Sequence, residues 1–174
     1  MATTVVDPIT TEVIRNALNS AAEEMNATLF RSAYTWIIYE LRDCSVALLD
    51  GDHRVLGQSS GLPIFLGNLE VCTKLTEETY GRDAWEPGDV WALNDSYLAG
   101  THLNDVTVFS PIFHEGELIG FGASRAHWLD VGAKDPGSPM DSTDIWQEGI
   151  RMGPIKVADG GDVRPDIEDR KSVV

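Results

Sequence analysis

Two stretches of the sequence place imidazole beside carboxylate. One is GTHLNDVTVF, Gly100 to Phe109, and the other is RAHWLD, Arg125 to Asp130. They hold two of the chain's four histidines, His102 and His127, together with Asp105. Two imidazoles and one carboxylate form a recurring ligand set for divalent metals that keep open positions for water or substrate. The chemistry of such a set is Lewis-acid activation of a carbonyl or of water. The alternative is plainer: a His-x-x-Asp beside a strand is more often a surface pair or an ordinary hydrogen bond. Glu40, Asp43, Asp95 and Asp130 also stand at expected strand ends, where each taken singly suits a cap or a turn. His53 and His114 fall in expected turns and are expected to be exposed.

Whether the trio can meet depends on a hairpin. Asp105–Phe113 and Leu118–His127 are apolar runs separated by HEGE, which predicts two antiparallel strands. A two-residue loop, Glu115-Gly116, sets position 104 opposite His127 and turns Asp105 away. A three-residue loop, Glu115-Gly116-Glu117, sets Asp105 opposite His127 with both side chains on one face. A bulge near Pro111 gives the same register. The three-residue loop is the expectation. His102, just off the strand end, then folds back to the same point.

Other elements must carry this hairpin. Asp7-Pro8 reads as a helix start. Ile9, Val13, Ala17, Ala21, Met25 and Leu29 then recur every fourth residue, predicting one long amphipathic helix from about Thr10 into the low thirties. Asp43–Asp50 reads as a strand, GDHR as a turn and VLGQS as the return strand. Pro63 to Gly81 reads as a loop leading into a helix with Gly81 as its cap. A Pro-Gly turn precedes a short strand, Val90 to Asn94. The fold class is α+β, with antiparallel or mixed strands, a long N-terminal helix and a hairpin bearing the metal-like site. Residues 1–160 are expected to form one domain and 161–174 a loosely ordered tail.

Composition narrows the function. The chain has 174 residues, 13 Lys plus Arg against 28 Asp plus Glu, and a net charge of -15. Nucleic acid and anionic membranes would be repelled, so neither is an expected partner. The cysteines, Cys44 and Cys72, lack zinc-ribbon spacing and are expected to be buried free thiols. No basic stretch followed by an apolar run opens the chain, and no run approaches the ~18 apolar residues of a membrane span. A cytoplasmic location is expected. No GxxxxGK[ST] loop is present, so no nucleoside triphosphate site is expected on this chain itself.

The segments DPITTEVIRNALNSAAEEM, GDVWALNDSYLAGTHLNDVTVFSPIF, SRAHWLDVGAKDPGS and IWQEGIRMGPIKV resemble, in order, the N-terminal part of the hydantoinase B/oxoprolinase family. The resemblance implies a B-type subunit that works beside a hydantoinase A-type subunit. The A-type subunit uses ATP to phosphorylate a cyclic amide, and the B-type subunit hydrolyses the activated intermediate. It also implies His102, Asp105 and His127 as ligands of a divalent ion, Zn or Mn, with Asp43 of the E-x-x-D segment as a further acidic ligand. A nearby carboxylate, Asp43 or Asp130, is expected to serve as the base. The expected partners are the A-type subunit, the remaining C-terminal part of a B-type subunit or a paralogue, and a small-molecule substrate. Two other roles stay open. One is a subunit of an acetone or acetophenone carboxylase type of enzyme, and the other is a non-catalytic assembly subunit. Asp105→Asn is expected to keep the fold and lose the metal.

Overall fold

The structure is a computed structural model and describes residues 7–59 and 61–167. Its centre is one antiparallel sheet of seven strands in the order β2-β1-β5-β4-β3-β6-β7. The strands are β1 Cys44–Asp50, β2 Val55–Gln58, β3 Val90–Leu93, β4 Asp105–His114, β5 Glu117–His127, β6 Ile155–Asp159 and β7 Asp162–Val163. The helices are α1 Pro8–Ser32, α2 Trp36–Tyr39 and α3 Pro63–Tyr80. The fold is α+β, as the sequence predicts. β7 lies within the stretch expected to be loosely ordered, and pairs with β6. Residues 168–174 of that stretch lie outside the described residues.

The main core lies between one face of the sheet and α3. Leu69 and Cys72 of α3 pack with Ala47, Leu49, Trp91, Leu93, Phe109, Phe121 and Ala123 of the strands. Trp85 stacks edge-on against Trp91, Phe109 and Phe121. The other face is covered over β1 and β2 by α1. α1 starts where Asp7 accepts the Thr10 N–H at 3.1 Å, a side-chain cap with proline one residue later. α3 begins directly at Pro63 without the expected leading loop, and Gly81 ends it at φ 85°. α2 carries no periodic signal, since a helix of four residues is shorter than one hydrophobic repeat.

The apolar stripe of α1 is used only in part. Ala22 and Asn26 are its buried residues, while Ile9 and Val13 are 73% and 63% exposed. Its early turns therefore present apolar side chains to solvent. No helix among the described residues is long and apolar enough to cross a membrane.

Two glycines separate the effects of packing and backbone freedom. A Cβ on Gly57 of β2 would stand 2.8 Å from the Leu18 carbonyl carbon, so α1 lies on β2 only because position 57 has no side chain. Gly67, on the exposed side of α3, has open space around an added Cβ. Gly57→Ala is expected to lower stability by about 1–3 kcal/mol. Gly67→Ala is expected to raise it by about 0.5–1 kcal/mol through lower unfolded-chain entropy. Urea unfolding of both variants checks the pair. Equal destabilisation would show that α1 does not rest on Gly57.

Candidate metal centre

Asp105 pairs directly with His127 across β4 and β5, but not through the three-residue loop expected from the sequence. The turn is the two-residue Glu115-Gly116, with φ 50° and 84°, between paired His114 and Glu117. Two positive φ values suit the twist of a two-residue hairpin. The register is recovered by a bulge: Ile112 pairs with Gly120 and Phe113 with Leu118, so Ile119 has no partner. The bulge therefore sits next to the position near Pro111 that the sequence allowed.

The pairing brings the side chains into contact. His127 Nδ1 lies 2.8 Å from Asp105 Oδ1. The other Asp105 oxygen accepts from the Thr101 hydroxyl and, at 3.0 Å, from the His102 N–H. Asp105 thereby folds the segment carrying His102 back over the strand end. One ligand atom each from His102, Asp105 and His127 lie within 4.8 Å of one another. Asp105 and His127 are 2% and 7% exposed, and His102 faces solvent.

Asp43 belongs to this neighbourhood. Its carbonyl accepts the His127 N–H at 3.0 Å, which extends the β1–β5 ladder by one residue. Its Oδ2 stands 4.0 Å from His127 Nδ1, and its Oδ1 is buried with no hydrogen-bond partner. Asp130 is exposed on the loop after β5, where it accepts the Gly132 N–H at 2.8 Å. That is a turn-capping contact, and Asp130 is not in the group of convergent ligand atoms.

The two carboxylates beside His127 are driven in opposite directions. Burial pushes Asp43 above the ordinary carboxylate value, reinforced by the Asp105 charge and opposed by the imidazoles. Burial acts to raise Asp105 too, but the hydrogen bonds from His127, Thr101 and the His102 N–H outweigh it and hold Asp105 low. The hydrogen bond to Asp105 raises His127, against the effect of its own burial. An unpartnered buried carboxylate oxygen next to an imidazole and a second carboxylate is suited to a cation. The donor set, imidazole nitrogen plus carboxylate oxygen, is of a kind that suits a divalent metal ion.

Supporting contacts were not visible in the spacing. Asn94, fully buried, donates to the Leu103 and Ile150 carbonyls at 2.7 and 2.9 Å and accepts the Met152 N–H at 2.6 Å. Asn104 donates to the Trp128 carbonyl at 2.7 Å and accepts the Trp128 N–H on its own carbonyl at 2.8 Å. The chain immediately after His102 is thus held twice, at Leu103 and at Asn104. Ser138 lies 3.4 Å from His102 Nδ1 and 3.5 Å from His127 Nε2. An Asn at the end of a strand is a signal that could have marked Asn94. Ser138, in a Gly/Pro/Ser-rich loop, gives none.

His53 is not exposed as expected. It is buried, stacks on Phe121 at 5.0 Å and approaches Glu77 at 3.5 Å. It is a core histidine, since an imidazole edge can pair with a carboxylate while its face packs on a ring. His114 is exposed at the end of β4. Both cysteines are buried, and burial pushes the Cys44 thiol up to about 11, leaving it protonated and inert at neutral pH. A second acidic group, Glu86, Asp89 and Asp159, already has a cation: Lys156 Nζ is 2.8 Å from Asp89. A recess of about 540 Å³ lies between α1 and the strands at Val46 and Ser124, on the sheet face opposite the main core. A cavity of about 230 Å³ opens on His102, Asn104 and Ser138.

Fold and site together define an α+β domain on an antiparallel sheet, with two imidazoles and a carboxylate converging at one end of a hairpin. The chain belongs to the hydantoinase B/oxoprolinase family, whose profile matches residues 7–171. It is 35% identical over 160 residues to the 5-oxoprolinase of Dictyostelium discoideum, covering 91% of this chain and 13% of that one. Its structure is similar to that of the ATP-dependent caprolactamase from Pseudomonas jessenii. The TM-score there is 0.81 at 32% identity, over 96% of this chain and 29% of that one. Nucleotide-free acetone carboxylase shares the fold, with a TM-score of 0.86 at 24% identity over 94% of this chain and 22% of that one. The chain spans less than a third of the length of the curated relatives it matches.

The Asp105–His127 pair makes a pH prediction for protein stripped of metal. His127 is raised, so its contribution is fully present below its unfolded value near ~6.5 and is lost as pH rises through the folded value. Asp105 is lowered, so its contribution is present above ~3.9 and is lost as pH falls through the folded value. The pair therefore stabilises most in mild acid, between these limits. Because Asp105 accepts three hydrogen bonds, Asp105→Asn is expected to cost some stability even while the fold is kept. The cost is expected to be about 1–3 kcal/mol near pH 5.5 and smaller near pH 9. A pH series of chelator-treated unfolding curves measures it. A cost independent of pH would show that the two groups are not coupled.

Proposed function

We propose that the chain is the metal-binding part of a B-type subunit in an ATP-dependent enzyme that opens a cyclic amide of the hydantoin, oxoproline or lactam type. The observation that carries this reading is the convergence of His102, Asp105 and His127, with the partnerless Asp43 oxygen beside them. Membership of the hydantoinase B/oxoprolinase family supports it, as does the similarity to a caprolactamase whose name states its ATP dependence. His102, Asp105 and His127 would hold a divalent ion, Zn or Mn, and Asp43 would offer it a further oxygen. When bound, such an ion supplies Lewis acidity toward a carbonyl or water near neutral pH.

In the proposed division of labour, an A-type partner transfers the ATP γ-phosphoryl group to the amide oxygen. Water then adds to the ring carbon, the C–N bond breaks to leave an acyl phosphate, and a second water releases phosphate. This chain's part is to orient and to manage protons. Asp43, whose buried Oδ1 has no hydrogen-bond donor, is the first candidate to take the proton of the adding water. Asp130, exposed on the following loop, is the second candidate for that role. Asp105 fixes the His127 ring and the His102 segment, so the imidazoles stay in place as charge moves. The remaining C-terminal part of a B-type polypeptide, or a paralogue, would complete the substrate site.

His102 separates chemistry from folding. It is exposed, and its ring-nitrogen contact is to Ser138. His102→Ala is expected to change stability by no more than about 0.5 kcal/mol, while abolishing stoichiometric metal and the activity of the assembled enzyme. The measurements are elemental analysis of the complex with its A-type partner and a substrate panel with ATP. Ring opening that needs ATP but not bicarbonate is the expected result, and the purified chain alone is expected to give none. Product formed only from a ketone with bicarbonate would make the enzyme a carboxylase. A complex without metal, fully active with His102→Ala, would make the chain an assembly subunit.

A further inference from the structure

His127 meets different partners at its two nitrogens. Nδ1 faces carboxylates, with Asp105 at 2.8 Å and Asp43 at 4.0 Å. Nε2 faces Ser138 Oγ at 3.5 Å, and that same oxygen lies 3.4 Å from His102 Nδ1. The rings stand edge to face at 86°, centroids 5.8 Å apart, with the hydroxyl in reach of both. A serine hydroxyl has one proton to give but two lone pairs. It can donate to only one of two bare imidazole nitrogens, yet it can accept from two N–H groups at once.

The loop holding Ser138 is tied down. The Leu129 carbonyl accepts the Gly137 N–H at 2.5 Å. The Ser142 hydroxyl donates to the Pro139 carbonyl at 3.3 Å, Lys134 pairs with Asp141 at 2.7 Å, and the Lys134 N–H donates to the Gln147 carbonyl at 2.9 Å. Ser138 itself is exposed at the wall of the 230 Å³ cavity.

We propose that Ser138 is a positioning residue of the metal centre: its hydroxyl oxygen accepts from His102 Nδ1–H and His127 Nε2–H together. This rests on the metal reading given above. The clasp fixes both tautomers, leaving His127 Nδ1, beside the two carboxylates, and His102 Nε2 as the nitrogens that face the ion. A ligand imidazole commonly gives its remote N–H to an oxygen, and loss of such a partner weakens metal binding about 10–100-fold. Ser138 does this for two ligands at once. It also couples the loop to the centre, because loss of the ion frees both rings to change tautomer and release the hydroxyl.

The experiment uses the full chain loaded with Zn and compares wild type, Ser138→Ala and Ser138→Thr. Zn affinity is read by competition with a chelator, and imidazole nitrogens by long-range 1H–15N NMR. Wild type is expected to show His127 bound through Nδ1 and His102 through Nε2. Ser138→Ala is expected to lose about tenfold or more in affinity, with mixed tautomers and an unchanged melting temperature of the metal-free form. Ser138→Thr, which keeps the hydroxyl, is expected to restore both. His127 bound through Nε2 in wild type would overturn the clasp while leaving the metal centre standing. Unchanged affinity and tautomers in Ser138→Ala would also overturn it. A wild-type chain that binds neither Zn nor Mn would remove the metal reading, and the clasp with it.

Discussion

Ile119 is the residue of the β4–β5 hairpin that has no partner, and that extra residue decides what the site is made of. Without it, the two-residue Glu115-Gly116 turn would set residue 104 against His127, and the β4 side chains from Asp105 to Ile112 would change face relative to β5. Asp105 would then point away from His127, and Phe109 would leave the core. The bulge satisfies two demands together: a tight turn that matches strand twist, and a register that places the acidic residue beside the imidazole. The metal-like trio and the hydrophobic core are consequences of one alignment.

That alignment stacks the core face into rows across β1, β5 and β4. Asp43, His127 and Asp105 form the outermost row. Ser45, Arg125 and Thr107 form the next, followed by Ala47, Ala123 and Phe109, then Leu49, Phe121 and Pro111. Polarity falls step by step from site to core. Arg125 marks the boundary. It is fully buried, gives Nε–H to Thr107 Oγ1 at 2.6 Å, donates to the Ala99 carbonyl and lies over the Phe65 ring. A buried guanidinium costs desolvation, and burial pulls its pKa down, but it stays a cation at neutral pH. Its charge lies one row beneath two carboxylates. Its bond to Ala99 tethers the segment that carries Thr101 and His102.

How much of this could be read from the sequence follows from the range of each interaction. The helices α1 and α3 and the pairing of Asp105 with His127 were legible. They rest on periodicity and on alternation within a single hairpin, both local signals. The route to the register was less so, because turn length and bulge exchange for one another. The turn-like neighbours of His53 suggest exposure, whereas its stacking on Phe121 is set by distant packing. Asn94 and Ser138 escaped because their partners, Met152 in one case and two histidines in the other, are brought near only by the finished fold. The exposed early turns of α1 show the opposite error. The Ile9 and Val13 stripe predicts burial, yet nothing among the described residues covers it.

The opposed carboxylates give the site its chemical direction. Asp105 has its oxygens filled by three donors and stays ionised, so it acts as a fixed charge. Asp43 has a buried oxygen with no donor, and its burial and the charge of Asp105 both disfavour its own ionisation. Such a pair divides the labour between a group that holds the geometry and a group free to change protonation. In the proposed centre, a cation would relieve the mutual repulsion of the two carboxylates and replace the proton that His127 Nδ1 shares with Asp105. Acid would therefore compete with the ion at His127. The same carboxylates that raise the affinity of that nitrogen for a proton would raise its affinity for a divalent cation, so pH and ion concentration together decide which one it holds.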